Sequence, residues 1–382
     1  MKNKVCLIGG YRLPEGNASS VRAFGNAMLL KSIGYEPVIA GKFTDGSKDE
    51  LWRVYNGIDC FNVNCCNDRE GITVRFADKL ISELGEDDIH SLIVYNYPGL
   101  GLDKLRRLAK KHGIGMISDT TEWYAFEGKH FIDAAIRKLQ TEYRMRIVNK
   151  KIGNIICSTY YIQKYYSKYH TVIIPMIDDR SFGSEREKSF KTGGIRRYVY
   201  AGSPGYRFRK DKIETIIRSF ETMRDKGLPY RLDIYGITED QYREVYEYEA
   251  VNDENFCIVF HGRVPKSEIE DALSEADFYV LFRPDTKVCR VGFSTKAMEA
   301  ISWGVPLISN DVNGDFERYF TDGQALIVGA RDEEGFLKAL EKSAAMPDEE
   351  VIQMKKNCAL HDPFHYQNFA EPVRLFMEQV SK

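Results

Sequence analysis

The chain has 382 residues and a formal net charge of −2 at pH 7, and its composition is 43% hydrophobic and 29% charged. That length predicts two domains of ordinary size, and the composition is that of a soluble globular protein. The small net charge argues against nucleic acid as the main partner. No run of eighteen apolar residues occurs, and the first residues read as a strand rather than a signal peptide, so we expect a cytoplasmic protein.

The spacing of the cysteines and the distribution of charge indicate which kinds of site to expect in this chain. The eight cysteines show no C-x-x-C spacing, although Cys65 and Cys66 are adjacent, which favours reduced thiols in the core over a disulfide framework or a zinc site. Residues 1–190 carry a formal charge of +5 and residues 191–382 one of −7. We therefore expect an acidic ligand or surface to meet the first half of the chain.

The chain opens with a predicted strand from Lys4 to Ile8, a glycine-rich loop from Gly9 to Asn17 and a helix from Ser19 to Ser32. These form the opening unit of a doubly wound α/β sheet, whose ligands bind beyond the carboxyl ends of the strands. The loop contains no G-x-G-x-x-G motif, so the fingerprint of a dinucleotide-binding protein is missing.

The same unit recurs with predicted strands from Ser91 to Tyr95 and from Ile114 to Ser118, and the second runs into D-T-T-E-W-Y. Asp119, Glu122 and Trp123 therefore follow the carboxyl end of a strand, where a ligand cleft is expected. Carboxylates and a ring suit a sugar, because its hydroxyls can donate while its apolar face stacks. The alternative is structural: Asp119 caps the next segment and Trp123 packs under a loop.

A long basic amphipathic helix is predicted from Phe131 to Ile152. Its apolar positions are Ile132, Ile136, Leu139, Tyr143 and Ile147, and its cations are Arg137, Lys138, Arg144, Arg146, Lys150 and Lys151. Such a helix attracts anionic lipid headgroups, and each cation near a charged surface adds about 1 kcal/mol. The other interpretation is a helix whose apolar stripe packs on the sheet while its cations are solvated.

The polar segment 181–194 is the predicted linker, and a second α/β domain starts after it. Its first strand, from Arg197 to Ala201, runs into the loop G-S-P-G-Y-R-F-R-K-D-K. That loop contains the cations Arg207, Arg209, Lys210 and Lys212. Cations at a strand end favour an anionic ligand such as a phosphate, and the alternative is a solvated basic loop.

The stretch from Cys289 to Asn310 predicts a turn, a helix and a strand, with Gly292 in the turn and Gly304 after the helix. A helix N-terminus carries unpaired amide N–H groups and about half a positive charge, so it can hold a phosphate. Lys296 adds a cation at that end, and the carboxylate of Glu299 could accept two sugar hydroxyls. The alternative is an ordinary helix–strand unit with a solvated Glu299.

The sequence G-F-S-T-K, followed by a glutamate, resembles the donor-binding motif of retaining GT-B glycosyltransferases of family four, in the variant of bacterial surface-polysaccharide enzymes. The resemblance covers nearly the full length and is most specific between Gly292 and Val328. It implies an α/β protein of GT-B fold, with two Rossmann-like doubly wound domains facing a central cleft. That family usually carries two glutamates eight positions apart, and here Glu299 matches the second while Val291 occupies the place of the first.

The resemblance implies a hexosyltransferase that uses a nucleotide-sugar, with UDP favoured, and a glycan or lipid-linked acceptor, without a cofactor. The implied catalytic residues are Glu299, Lys210 and Lys296. The implied donor-binding residues are Gly10, Gly16, Gly205, Arg209, Lys212, Arg263, Val264, Gly292, Phe293, Ser294 and Thr295, and the acceptor-binding residues are Asp119, Glu122 and Trp123. The chain contains no D-x-D sequence, so we predict no catalytic metal and expect the cations and the helix start to balance the phosphate charge.

The resemblance also implies domain bounds. They are an acceptor-binding domain at 1–180, a linker at 181–194, a nucleotide-sugar-binding domain at 195–360, and a helix at 361–382 that crosses back to the first domain. Peripheral contact of the basic helix with the inner face of a membrane would suit a lipid-linked acceptor. Two rival functions stay open: a nucleotide-sugar epimerase, because fold does not fix function, and a non-catalytic scaffold subunit, which would explain Val291.

Overall fold

A computed structural model describes the chain at residues 2–14, 18–46, 49–66, 74–124, 131–177, 190–205, 208, 210–250 and 252–380. The contacts divide it into two units. The first comprises Met1–Ser184, Val291–Phe293 and Phe364–Lys382, and the second comprises Glu185–Arg290 and Ser294–Pro363. Each unit is built on its own sheet.

Over the residues described, the first unit contains an eight-stranded sheet in the order β3-β4-β2-β1-β5-β6-β7-β8. Its strands are β1 (Lys4–Leu13), β2 (Glu36–Phe43), β3 (Trp52–Tyr55), β4 (Ile58–Asn62), β5 (Ile89–Tyr95), β6 (Gly115–Thr120), β7 (Asn154–Cys157) and β8 (His170–Ile173). Neighbouring strands are parallel except β3 and β4. The continuous apolar runs of β1 and β5 favour this arrangement, because parallel strands are covered on both faces.

Helices cover both faces of the first sheet. They are α1 (Ala18–Ser32), α2 (Arg75–Leu84), α3 (Gly99–Lys111), α4 (Phe131–Tyr143), α5 (Asn149–Ile152) and α6 (Tyr160–Tyr165). Alternate residues of β1 enter two cores: Val5 and Leu7 join the core that contains α1, whereas Cys6 and Ile8 join the core that contains α2 and α3. A π-helical turn, Arg144–Val148, joins α4 to α5, so the helix predicted from Phe131 to Ile152 is helical throughout.

The second unit contains, in its described part, a six-stranded parallel sheet in the order β11-β10-β9-β12-β13-β14. Its strands are β9 (Arg196–Ala201), β10 (Tyr230–Tyr235), β11 (Phe256–Gly262), β12 (Phe278–Leu281), β13 (Leu307–Asp311) and β14 (Ala325–Gly329). The strand order reverses between β9 and β12, which is the position where open α/β sheets bind ligands. The predicted doubly wound α/β architecture is confirmed in both units.

The helices of the second half follow the same alternation with strands. They are α7 (Ile213–Asp225), α8 (Glu239–Arg243), α9 (Lys266–Glu275), α10 (Lys287–Val291), α11 (Thr295–Ser302), α12 (Phe316–Tyr319), α13 (Glu333–Ala344) and α14 (Asp348–Leu360). The last helix, α15 (Ala370–Glu378), belongs to the first unit. Its residues Val373, Phe376 and Met377 are buried in the core that contains α1.

The glycine-rich segment near the N-terminus differs from the prediction. We predicted a loop from Gly9, but β1 continues to Leu13, with a break in register between Ile8 and Arg12. The Tyr11 ring folds back over Gly9, where a Cβ atom would lie 2.7 Å from Tyr11 Cζ. Glycine at this position therefore makes room for an aromatic ring inside the strand.

Within the described ranges, no helix is both long and apolar enough to cross a membrane.

Candidate functional site

The start of α11 lies in the second unit, after β12 in the chain. Ser294 precedes the helix in an extended conformation, with φ −84° and ψ 111°, and its side chain makes no capping hydrogen bond. The amide N–H groups of the first helical turn have no partner within the helix, and the helix dipole adds positive potential there. This end of α11 is therefore suited to an anion.

Lys296 lies at this helix start and reaches the loop that follows β9. Its Nζ atom is 2.8 Å from Oδ2 of Asp211, and its aliphatic stem crosses the backbone of Gly202. A Cβ atom on Gly202 would lie 2.0 Å from Lys296 Cε, and Gly202 has φ +156°. Glycine is needed at this position, because any side chain on residue 202 would occupy the space that the Lys296 stem fills.

Asp211 is buried and organises the charges around it. Its Oδ2 atom also accepts a hydrogen bond from the Tyr200 hydroxyl at 2.7 Å. Burial alone would raise the pKa of Asp211, but the charges of Lys296 and Arg283 lower it below its ordinary value. We call Tyr200, Asp211, Arg283 and Lys296 the Asp211 cluster. It places two cations at the carboxyl ends of β9 and β12.

The other predicted cations of the phosphate loop lie in different surroundings. Lys210 and Gly205 are exposed, and the Lys210 backbone N–H donates to Pro204 O at 2.8 Å. Lys212 instead forms an ion pair with Glu333 at the start of α13. Arg207, Arg209 and Gly16 lie outside the described residues.

Glu299 is half-buried on the second turn of α11. The charge of Glu299 affects Tyr279. Burial chiefly raises the pKa of the Tyr279 phenol well above its ordinary value, and the Glu299 charge raises it further. The Tyr279 hydroxyl donates to Ala201 O at 2.6 Å. The Glu299 charge therefore acts on a phenol that is hydrogen-bonded to the carboxyl end of β9.

The predicted nucleobase turn follows β11. Arg263 is exposed and Val264 half-buried, directly after Gly262. The amide of Gly236, at the end of β10, donates to Gly262 O at 2.6 Å. This bond holds the turn beside the carboxyl ends of β10 and β9.

Val291–Phe293 belongs to the first unit, whereas Ser294 and Thr295 belong to the second. The Val291 side chain is fully buried in an apolar cluster with Trp123, Met145, Ile155, Cys157, Ile162 and Tyr166. Its carbonyl accepts hydrogen bonds from the hydroxyls of Thr159 at 3.1 Å and Ser158 at 3.4 Å. The position that resembles a sugar-binding glutamate is therefore a packing position in this chain.

Asp119 and Trp123 occupy interior positions. The Asp119 side chain has no exposed surface and pairs with the equally buried Arg22, through Nη2 at 2.6 Å and Nε at 2.8 Å. The Trp123 indole packs in the Val291 cluster and donates from Nε1 to Glu142 Oε1 at 2.8 Å. Neither side chain is available to a sugar in this structure, so we leave both out of the acceptor site proposed below.

Glu122 is half-buried and lies in a hydrogen-bonded network at the ends of β5 and β6. Its Oε2 atom accepts from the Tyr124 hydroxyl and from Asn96 Nδ2, the latter at 3.3 Å. Asn96 also donates to the Thr121 hydroxyl at 2.6 Å, which in turn donates to Tyr95 OH at 3.3 Å. We call Tyr95, Asn96, Thr121, Glu122 and Tyr124 the Glu122 network. Sequence reasoning missed Asn96, although it follows the end of a predicted strand.

The buried guanidinium of Arg144 contacts the backbone of the Glu122 network. Arg144, in the π-helical turn, donates from Nη2 to the Glu122 carbonyl. Its Nε atom has no hydrogen-bond partner in the part of the chain that the structure describes. Burial lowers the pKa of Arg144, and the Glu122 charge opposes that effect. The network thus combines carboxylate, amide and phenol groups near the switch between β1 and β5.

Comparisons with known proteins bear on the family of the second domain and on the fold. Residues 196–345 match the family model for glycosyl transferases group 1. No curated protein matches the sequence.

Solved structures similar to this one cover the whole chain. A sucrose-phosphate synthase from Thermosynechococcus elongatus is 14% identical at TM-score 0.64, over 99% of this chain and 98% of that chain. The catalytic domain of starch synthase IV from Arabidopsis thaliana, bound to ADP and acarbose, is 10% identical at TM-score 0.67, over 100% of this chain and 99% of that chain. A trehalose-6-phosphate synthase from Burkholderia multivorans is 12% identical at TM-score 0.65, over 100% of this chain and 97% of that chain. The chain therefore has the GT-B fold with a group 1 glycosyltransferase domain, and the two findings together support a transferase enzyme.

Proposed function

We propose that the chain is a retaining glycosyltransferase. It moves a hexosyl group from a nucleotide-diphosphate sugar, with UDP favoured, to a hydroxyl of a glycan or lipid-linked acceptor in surface polysaccharide or glycoconjugate synthesis. The observation that carries the proposal is the grouping of Lys296 and the start of α11 where the strand order reverses, within the matched domain.

The donor diphosphate would lie over the start of α11. As the bond between the anomeric carbon and the diphosphate oxygen breaks, the leaving group gains negative charge, and Lys296 and the helix amides stabilise it without a metal. Lys210, exposed in the adjoining loop, adds a second cation. Glu299 accepts hydroxyl donors from the nucleotide sugar, and the backbone around Arg263 and Val264 holds the base. Retention of the anomeric configuration is proposed from the resemblance alone.

The acceptor would bind at the Glu122 network of the first unit. Glu122 and Asn96 supply polar partners for hydroxyls, and the half-buried rings of Tyr95 and Tyr124 offer surfaces for stacking. Burial chiefly raises the pKa of Tyr95 to about 12, and the Glu122 charge adds to it, so this phenol is neutral at pH 7 and can donate a hydrogen bond. The acceptor hydroxyl oxygen forms its bond to the anomeric carbon as the bond to the diphosphate oxygen breaks, and the hydroxyl proton passes to the departing nucleoside diphosphate.

A nucleotide screen tests the donor site. We expect UDP, more than GDP, ADP or dTDP, to raise the melting temperature with or without Mg²⁺, because a ligand at a hundred times its Kd adds about 2.7 kcal/mol of stability. The Glu299→Ala variant should lose most of that shift and its transferase activity. Glu239→Ala, on the exposed helix α8 of the same unit, is the matched control and should behave as wild type. A fully active Glu299→Ala variant would remove Glu299 from the donor site.

A non-catalytic scaffold subunit is the second candidate function. Val291 favours it, because one of the two glutamates of the resembling family is absent and its place is buried. This function predicts that none of the four nucleotides shifts the melting temperature. The nucleotide screen therefore separates the two candidates directly.

Peripheral membrane contact through α4 remains part of the proposal. The apolar residues of this helix face outward: the exposed fractions of Phe131, Ile132 and Leu139 are 74%, 71% and 69%. The cations Arg137 and Lys138 flank them and are exposed as well. An apolar strip bordered by cations suits insertion at an anionic lipid surface. Burial of the apolar side chains and attraction of the cations to the headgroups both favour binding there.

Vesicle binding tests this contact. We expect the protein to sediment with vesicles that contain phosphatidylglycerol, less with pure phosphatidylcholine, and less again at high salt. The double change of Ile132 and Leu139 to serine should weaken binding at least about tenfold, because it removes apolar surface that the bilayer would bury. Leu360→Ser, which changes an equally exposed leucine in the second unit, is the control. Unchanged sedimentation of the double variant would contradict the proposal.

A further inference from the structure

The edge strand β11 contains an extra residue immediately before the nucleobase turn. Ile234 on β10 pairs with Phe260, and the next residue, Tyr235, pairs with Gly262, so the register passes over His261. His261 is therefore the extra residue of a β-bulge. A bulge bends its strand and re-aims one side chain, and bulges are common beside active sites.

The imidazole of His261 is held by two side chains of β10. Its Nε2 atom lies 2.7 Å from Oδ1 of Asp233, and its ring stacks on Tyr235, with centroids 4.2 Å apart and planes at 7°. Burial alone would raise the pKa of Asp233, but hydrogen bonds from Arg231 and His261 lower it below its ordinary value. Asp233 is therefore a carboxylate at neutral pH and can only accept, so Nε2 of His261 carries the hydrogen and donates it.

The backbone directly after His261 is joined to the ends of the neighbouring strands. Gly262 has φ +68°, and its carbonyl accepts from the N–H of Gly236 at 2.6 Å. Gly236 in turn packs on the loop after β9, because a Cβ atom at this position would lie 2.1 Å from Gly202 O. Backbone contacts therefore fix Gly262, and side-chain contacts fix His261 before it. Both anchors directly precede the nucleobase turn.

We propose that His261 is a positioning residue for the nucleobase, because its bond to Asp233 and its stack on Tyr235 orient the turn that follows. His261 acts through the backbone of that turn and does not contact the base. The inference deepens the proposed function and rests on it for the ligand, a nucleoside diphosphate whose base lies at the turn. The alternative is a structural role, in which the bond to Asp233 only ties the edge strand to β10.

Binding of UDP and of inorganic pyrophosphate, which has no base, tests the inference. His261→Phe keeps a ring but removes the donor, so we expect UDP to bind about tenfold more weakly. Pyrophosphate should bind within about twofold of wild type, because the phosphate site is untouched. His261→Gln restores an N–H donor and should bring UDP affinity back to within about threefold of wild type. Isothermal titration calorimetry measures both affinities.

Steady-state kinetics supply a second measurement. In His261→Phe the KM for the nucleotide-sugar should rise about tenfold, while kcat stays within about twofold of wild type. The reason is that the base lies away from the reacting bond, so its contacts are the same in the ground state and the transition state. A mainly structural histidine would lower the melting temperature and leave the KM unchanged.

The control removes another ring from the same edge strand. Phe256 is the first residue of β11, is half-buried, and has its ring centroid 5.8 Å from that of Tyr230. It therefore lies at the strand end opposite the nucleobase turn. Phe256→Ala should lower the melting temperature, because apolar packing is lost, while UDP affinity stays within about twofold of wild type. A loss of UDP affinity equal to that of His261→Phe would overturn the inference.

The remaining outcomes also decide. The inference is overturned if His261→Phe binds UDP as wild type does, if it loses UDP and pyrophosphate affinity alike, or if His261→Gln binds UDP no better. If His261→Phe does not fold, His261→Leu replaces it, since leucine and glutamine are similar in size and only glutamine donates. If the wild type binds UDP and turns over the donor but the variants match it, the inference fails alone. If the wild type binds no nucleotide, the proposed function fails and the inference fails with it.

Discussion

Replacing Asp119 by alanine is expected to lower the free energy of unfolding of the first unit by about 3–5 kcal/mol. The change leaves the guanidinium of Arg22 fully buried without its counter-charge. Among the described residues, Arg22 would retain the carbonyls of Ile174 and Pro175 as hydrogen-bond acceptors, and these do not balance a positive charge. Urea unfolding, followed by the fluorescence of Trp52 and Trp123 in the first unit, measures the loss.

Two further variants separate charge burial from ligand binding. Replacing Arg22 by methionine together with Asp119 by leucine should recover most of the lost stability, because no charge is then buried unpaired. Glu122→Gln, in the Glu122 network, should change stability by less than about 1 kcal/mol and raise the KM for the acceptor. If Asp119→Ala were as stable as wild type but raised that KM, Asp119 would belong to the acceptor site after all.

The Arg22–Asp119 pair also shows where sequence reasoning stops. The position of Asp119 at the end of a strand was predictable from the apolar run that precedes it, and β6 ends at Thr120. Its partner could not be predicted, because Arg22 lies 97 residues earlier, on a helix whose packing against β6 depends on the strand order. The same carboxylate pattern fits a sugar site and a buried ion pair, and only the partner distinguishes them.

The second unit shows the same division. Local chemistry predicted α11, the helix start and Lys296, because each depends on neighbouring residues. Lys212 and Lys210 are both cations of the predicted phosphate loop. Lys212, however, pairs with Glu333, which lies 121 residues further along the chain. The ion pair between Asp211 and Lys296 likewise joins two segments that lie 85 residues apart. The surroundings of the loop cations therefore differ through tertiary contacts rather than through residue type.

Introducing the glutamate of the resembling family by Val291→Glu is expected to destabilise the first unit by about 4 kcal/mol or more. The fully buried Val291 side chain is surrounded by apolar groups, including Met145 and Ile155, which offer no partner for a carboxylate. Burial would raise the pKa of the new glutamate, so the folded state would bind a proton that the unfolded state releases near neutral pH. The loss should therefore be smallest below about pH 4 and grow as pH rises towards 8.

Val291→Ala is the matched control, because it removes apolar volume without adding charge. Its cost should be about 2 kcal/mol and should not depend on pH between 4 and 8. A Val291→Glu variant as stable as wild type, or one with higher transferase activity, would show that the side chain reaches a donor sugar instead of the apolar cluster. The expected pH-dependent loss would instead mean that valine at this position stabilises the first unit. Its presence would then no longer be evidence that the chain lacks activity, because a packing requirement explains it without a loss of function.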